Sequence, residues 1–509
     1  TTLNNDDTQE TTIVTEPEQE SVSPTIETTA PTNSNATKPT ENGAANSDTK
    51  PTEAVPTVPA TEPTTAPTEP TPTAPTTQPP ETEPPTVQPE TEPTETTPPT
   101  VETEPTAPPE KTVAELVEDG TYMLAHSFYF YQGSMGTSSI KTITFSRTHP
   151  KTYNERWNAN VANNDGIVGY RVGTDVIIVG EHIYANTNST YMFAAENAAG
   201  SKLWDSLIDI DGLELLNMSY VNNMSKMFLN GKFTSLSGIS RWNVGSVRKM
   251  TKTFAGCTNL TSLDIGSWNV SRVTDFAGMF QGGDNAGNMK LRSLDIGKWN
   301  TSSAQSLSHM FYGCGALTHI PVENWNVSRV TTFSHMFADC FSLQSIDVSK
   351  WNTSSARSFN AMFNDCRSLT SVDVSWLDTA SCVQFSQMFE ACTNLQKIIG
   401  LDTWNVASAS NYAFSETFHC CYNLQSIDIG SWNASPDNTA RMFKNCYSLS
   451  KIDMSGFNME NNSTVVEMFM NCKSLSRVDG MDAWNLENVT GYDSMYVGTA
   501  FDSKGENDG

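Results

Sequence analysis

The first 110 residues contain no aromatic residue, no methionine and no cysteine, so nothing in them can build an apolar core. Basic side chains are almost missing as well, with only Lys38 and Lys50 set against 20 Asp or Glu. Beyond Glu110 the shortage reverses: only Pro150, Pro321 and Pro436 remain of 26 prolines, so regular structure is permitted. No apolar run reaches the roughly 18 to 20 residues that a membrane-spanning helix requires. With 30 Lys+Arg against 57 Asp+Glu, the chain lacks the basic footprint that neutralises phosphate, which excludes nucleic acid as a partner. There is no His-Glu-x-x-His, no Gly-x-Ser-x-Gly and no phosphate-cradling glycine loop, so a non-enzymatic protein is expected. The chain opens at Thr1 without Met or an apolar leader and closes without a stop-transfer helix or wall-sorting motif, so we expect any anchor to lie elsewhere.

Residues 1–110 repeat Thr, Pro and Glu in short irregular units. Proline withholds a donor and fixes φ, and the carboxylates repel, so extended polyproline-II conformations are favoured. At ~3.1 Å per residue such a tail spans at most on the order of 300 Å. It reads as a disordered stalk or as a plain linker, and composition alone leaves both open.

Residues 111–191 read as a β-rich capping module, the expected shield for the first rung of an open solenoid. "KTVAELVEDG" predicts a short helix ended by Gly120, and "TYMLAHSFYFY", "IKTITFS" and "GIVGYRVGTDVIIVGEHIY" predict strands. A separate binding domain using Tyr122, Phe128, Tyr129 and Phe130 is the rival reading. Asp209, Asp211 and Glu214 superficially suggest a calcium loop but lack its twelve-residue spacing, so a strand and turn are expected there.

From 192 to 497 one unit is written about ten times, followed by a C-terminal extension at 498–509. Its Phe recurs at 228, 254, 280, 311, 337, 363, 389, 418, 443 and 469, a period of 26 with two insertions. A fixed period of this length marks a solenoid, in which each unit must stack on a neighbour to bury its apolar face. Each copy holds a Leu-x-x-Ile-x-Val element such as Leu343, Ile346 and Val348. Its alternation predicts one short strand per copy, and ten strands would form one parallel sheet about 45 Å long. A Trp-Asn pair follows, as at Trp351-Asn352, and the Asn is expected to turn inward as a ladder satisfying its own turn and the next. On that reading, Asn300 and Asn352, both in Asn-Thr-Ser, are closed to glycosylation.

Eight of ten cysteines occupy the slot three residues after Phe: Cys257, Cys314, Cys340, Cys366, Cys392, Cys421, Cys446 and Cys472. One slot per repeat, filled by Gly231 and Gly283 in two copies, argues for small buried groups and against disulfides or zinc. Cys382 and Cys420 fall outside it. His309 and His335 share a repeat position and read as a surface row. Between the inward aliphatics stand Asp264, Asp295, Asp347, Asp373, Asp428, Asp453 and Asp479, which alternation points outward. Stacked like charges repel, so hydroxyl donors, solvent or divalent cations must offset them. This face is the expected contact surface; the bland alternative is a solubilising stripe that blocks edge pairing.

The unit "MFxxCxSLxSIDVSxWNTSS" and the lead-in "GYRVGTDVIIVGEHIYANTNSTYMF" resemble the BspA-like leucine-rich-repeat surface proteins of bacteria and the related mycoplasma surface-lipoprotein repeats, across residues 165–497. "SWLDTA", with Trp376 shifted and Asp378 for Asn, and "GFNMEN", with Phe457 for Trp, depart from the pattern. The resemblance implies a leucine-rich-repeat-like solenoid in an extracellular, cell-surface or secreted protein that adheres to host, matrix or bacterial partners. It transfers no catalytic residue and no cofactor. A monomer contacting an extracellular protein or bacterial surface ligand is expected; the alternative is a carbohydrate- or cell-wall-directed accessory module of a larger surface protein or enzyme.

Overall fold

A computed structural model describes residues 123–125, 131–133, 136–162, 166–197, 199–283, 288–410 and 412–500, all within one compact unit, Val101–Gly509. The Thr/Pro/Glu tail, the helix expected before Gly120, and Tyr122, Phe128, Tyr129 and Phe130 lie outside the described residues.

The lead-in forms a five-stranded sheet in the order β2-β3-β4-β1-β6, with β1 Thr142–Ser146, β2 Glu155–Asn158, β3 Val168–Val172, β4 Asp175–Val179 and β6 Asp209–Asp211. β2, β3 and β4 are antiparallel, whereas β1 pairs in parallel with β4 and with β6. The alternation in "TITFS" places Ile143 and Phe145 inward, both buried. β6 carries Asp209 and Asp211, so the acidic pair is strand, followed by a 3-10 turn at Leu213–Leu215. β5, Ile183–Tyr184, pairs in parallel with β7, Leu216–Asn217, and Asn188 bridges Asn223. The lead-in thus covers the first repeat on two of its segments, hiding backbone that would otherwise be an open edge.

From Leu124 to Met495 the buried apolar side chains form one continuous core, as a stack of rungs requires, apart from a small separate cluster of Val168, Tyr170 and Val179 in the lead-in. The sheet expected from the Leu-x-x-Ile-x-Val elements is not continuous. Among the described residues it survives as two parallel pairs, β8 Ser371–Asp373 with β9 Lys397–Ile399, and β10 Lys451–Asp453 with β11 Arg477–Asp479. Side chains keep each strand short. Asp347, Asp373 and Asp453 each accept the N–H two residues on, from Ser349, Ser375 and Ser455, at 2.9 to 3.0 Å. That local turn ends the extended run after three residues without preventing pairing, since Asp373 and Asp453 lie in β8 and β10.

The continuous backbone ladder lies instead along the Met-Phe segment. Every repeat Phe from Phe228 to Phe469 donates its N–H to the carbonyl of the residue preceding the next repeat's Phe or, at the end, to Met495, at 2.9 to 3.0 Å. The insertions do not interrupt it, since Phe280 still reaches Met310 and Phe389 reaches Thr417. In every copy except that of Phe280, which has only Gly278 before it, left-handed residues stand two before and two after the Phe, such as His335 (φ 55°) and Asp339 (φ 58°). A non-glycine residue there costs about 1 kcal/mol or more, so the inter-repeat bonds must hold the conformation. This ribbon, and not the strand side, ties the copies together.

Side chains reinforce it. The Phe rings stack from one copy to the next at centroid separations of 5.3 to 5.9 Å. All eight slot cysteines are buried and unbridged. Each thiol donates to the carbonyl of the preceding copy's Phe, as Cys366 does to Phe337 at 3.2 Å. The tryptophans do the same on the next side: the Nε1 of Trp351 donates to the Val322 carbonyl at 2.9 Å, with equivalents at Trp242, Trp268, Trp299, Trp325, Trp404 and Trp432.

The inward asparagine ladder is therefore a misreading. Asn243, Asn269, Asn300, Asn326, Asn352, Asn405, Asn433 and Asn485 are exposed. Asn352 Oδ1 accepts the N–H of Ser354 at 3.1 Å, closing its own turn, and Asp378 does likewise for Ala380. Its neighbour Trp does the bridging, so Asn300 and Asn352 are open to solvent and burial says nothing about their modification. His309 and His335 are not a simple surface row either. Both are half-buried, with rings stacked at 4.5 Å.

Candidate functional site

The strand side presents the seven predicted carboxylates as the alternation requires. Asp264, Asp295, Asp347, Asp373 and Asp428 are exposed, and Asp453 and Asp479 are partly covered. At Asp347, Asp373, Asp453 and Asp479 the repulsion expected along this row is met by local donors. Ser349 amide and hydroxyl lower the Asp347 carboxyl below its ordinary range, and Ser455 does so for Asp453. Asp479 is lowered first by Lys451, whose Nζ lies 2.6 Å away, and also by Arg477 beside it. Lys451 and Arg477 occupy the position two residues before the Asp, where earlier copies carry serine. Among the described residues no group of three or more His, Cys, Asp or Glu is arranged to hold a metal ion. The donors at Asp347, Asp373, Asp453 and Asp479 are protein groups.

Two copies break the acidic row with apolar surface. In "SWLDTA" the shift of one residue puts Leu377 into the buried tryptophan slot and leaves Trp376, 59% exposed, where the previous copy has Lys350. In the next copy Ile399 occupies the Asp slot and is 40% exposed. β8 and β9 pair Asp373 directly with Ile399, so carboxylate and aliphatic side chain sit side by side on one face, three residues from Trp376. Gly400 then turns at φ 89°, and a Cβ there would sit 2.3 Å from the Ser375 Cα, so only glycine lets the two copies approach this closely. Trp376 was legible as a departure from the pattern; that Ile399 would stand beside Asp373 required the pairing.

Residues 187–292, 284–404 and 383–507 match the family described as Mycoplasma protein of unknown function, DUF285. The chain belongs to that family. DUF285 membership covers the repeats and begins at residue 187, leaving most of the five-stranded lead-in sheet outside the matched residues. It bears out the resemblance to mycoplasma repeats carried by the Met-Phe, Cys and Trp-Asn positions. No curated protein matches the chain. Solved structures similar to it include a leucine-rich repeat protein from Bacteroides ovatus, 15% identical, covering 69% of this chain and 81% of that one at a TM-score of 0.30. A leucine-rich repeat protein from Eubacterium ventriosum is 13% identical over 68% and 95%, with a TM-score of 0.28. A leucine rich cell surface protein from Faecalibacterium prausnitzii is 15% identical over 70% and 89%, with a TM-score of 0.23. No helix among the described residues of this DUF285 chain is long and apolar enough to cross a membrane.

Proposed function

We propose that this chain is a bacterial cell-surface or secreted repeat protein that binds an extracellular protein through the exposed strand face, with no catalytic role for that face. The observation that carries the reading is the Trp376–Ile399 patch set beside Asp373 and within the acidic row. Exposed Trp next to an aliphatic, rimmed by charge, is the composition of an interface hot spot, where a few aromatic anchors supply most of the affinity. The carboxylates contribute rate and selectivity, favouring a basic partner surface. The Thr/Pro/Glu tail would act as the stalk that presents this face.

The test is binding of the full chain to a panel of matrix and bacterial surface proteins, run beside a glycan and cell-wall polysaccharide array. Saturable protein binding is expected, unchanged by chelator and weakened at least about tenfold by Trp376→Ala, a loss typical of a hot-spot aromatic. Asp347→Lys with Asp373→Lys should weaken it further and slow association. Polysaccharide binding with no protein ligand would replace this reading with the wall-directed one. Protein binding indifferent to Trp376 and to both aspartates would move the site elsewhere.

A further inference from the structure

Ribbon residues of four consecutive copies, from Leu229 to Tyr312, line a cavity of about 340 Å³. That is within the roughly 300–1,000 Å³ of small-molecule sites. Two glycines in left-handed turns bring its polar side chains together. A Cβ on Gly256 (φ 69°) would sit 1.8 Å from Asn230 Oδ1. One on Gly278 (φ 61°) would sit 3.0 Å from Lys252 Cγ and 2.9 Å from Gln281 Oε1. Any larger residue at either position would drive these groups apart, so the glycines build the cluster of Asn230, Lys252 and Gln281. Lys252 is half-buried, and neither it nor Gln281 makes a side-chain hydrogen bond or ion pair among the described residues. In other copies long side chains at the Lys252 position are bonded across rungs: Lys226 to the Tyr191 hydroxyl at 2.9 Å, Gln387 to Glu416 at 2.8 Å and Arg441 to Glu467 at 2.7 Å. Among the described residues no Asp or Glu lines the cavity. Glu196, which accepts from Asn230 Nδ2 at 2.7 Å, is already paired with Lys202 at 3.1 Å. Asp275, one copy on, is held by the Thr251 hydroxyl and the Ala277 amide, each at 2.9 Å.

We propose that this cavity binds an anionic sugar, whose carboxylate or sulfate ester meets Lys252 as its counter-ion. A half-buried cation without a partner has lost hydration and gained nothing in return, and an anion from outside restores the balance. Lys252 Nζ brings the charge and its N–H donors, and Gln281 Nε2 adds amide donors beside it. Asn230 Nδ2 is committed to Glu196, which leaves Asn230 Oδ1 to accept from a hydroxyl next to the anion. Leu229 and the Tyr312 ring supply apolar surface for the carbon face of the ligand. Burial, and then Lys226, lower the Lys252 ammonium below the ordinary lysine value, and no carboxylate of the chain offsets them. The site lies on the ribbon and is independent of the strand-face reading: protein capture at Trp376 neither requires it nor is required by it.

The experiment is calorimetric titration of the full chain with glucuronate, with a glucose sulfate ester and with glucose as the neutral control, beside melting curves of each variant. At least one of the two anionic sugars should bind saturably in the millimolar range or tighter, and at least about tenfold more tightly than glucose, the difference expected of a hydrogen-bonded charge. Whichever of the two binds identifies the anion as carboxylate or sulfate. Lys252→Met keeps the apolar stem and removes the charge, so it should weaken that binding at least about tenfold. Gln281→Glu places a carboxylate beside Lys252 and supplies the missing counter-charge from within. It should abolish binding while raising the melting midpoint, a combination that a packing defect would not give. Binding of neither anionic sugar, equal binding of glucose, or binding that survives either variant would overturn the proposal.

Discussion

The ribbon and the strand side of each repeat are made from the same 26 residues and do opposite jobs. Along the ribbon, backbone bonds, stacked Phe rings and thiol donors repeat without a gap from Phe228 to Phe469. Along the strand side, pairing among the described residues is confined to β8 with β9 and β10 with β11, and the outward positions vary among Asp, Pro321 and Ile399. A solenoid therefore needs only one continuous seam. Once the ribbon supplies it, the other side is free to carry changing surface chemistry at little cost in stability.

The most forceful way to break this comparison is to open the seam. Phe363 is fully buried, with Phe337 and Phe389 stacked at 5.5 and 5.7 Å. Phe363→Ala should cost about 3–5 kcal/mol by cavity formation and lost contacts. Because stability in a stack is a sum over neighbouring interfaces, the loss should also uncouple the two halves and broaden urea unfolding monitored by Trp fluorescence. A sharp transition shifted no more than by a strand-face substitution would refute the seam.

Acid provides a second, smaller blow to the ribbon. Burial first, then His335 and Lys252, hold the His309 imidazole down at about 4, and burial also lowers His335. A depressed imidazole favours the folded state only while it is neutral, so this stability is complete above the ordinary histidine value of about 6.5. Between about pH 6.5 and 4 the unfolded chain takes up the proton and the folded one resists, so the protein should lose at most about 3 kcal/mol from His309. His309→Asn keeps a residue tolerant of the left-handed turn and should flatten this limb in urea midpoints measured against pH.

A finer probe compares two tryptophans in one slot. Trp351→Phe leaves the Val322 carbonyl without its indole donor and should cost about 1–3 kcal/mol. Trp484, half-buried near the last copy, has a buried Nε1 with no hydrogen-bond partner, so Trp484→Phe should cost clearly less in the same unfolding assay. Phe457 already fills the slot in one copy.

Much of this was legible in the sequence, and the failures have a common origin. Period and alternation report burial, so the inward Leu, Phe and Cys and the outward Asp follow from spacing alone. Hydrogen-bond direction leaves no such trace. Trp351 and Asn352 are adjacent and invariant partners in most copies, yet only coordinates show that the indole bridges copies while the amide closes its own turn. The left-handed positions were also hidden, since Lys252, His309, Gln387 and Glu416 lack the glycine that usually marks them, though Gly256, Gly278 and Gly313 hinted at the row. The pairing of His419 with Glu390 was invisible because the two lie 29 residues apart and meet only when rungs stack.

The smallest expected effect is the most informative about function. Asp373 has two roles that substitution can separate, a charge facing solvent and an acceptor for Ser375 N–H and hydroxyl at 3.0 and 2.6 Å. Asp347→Asn with Asp373→Asn removes both charges and keeps a side-chain oxygen for each turn, so unfolding should move by no more than about 0.5 kcal/mol. Asp373→Ala removes the acceptor as well and should cost about 0.5–1.5 kcal/mol more than the Asn variant, because the Ser375 amide loses its bond. If ligand capture falls equally in both variants, charge is what the partner reads. If it falls only with Ala, the partner depends on the turn that sets the Trp376 backbone, and the acidic row is a solubilising stripe around an apolar contact.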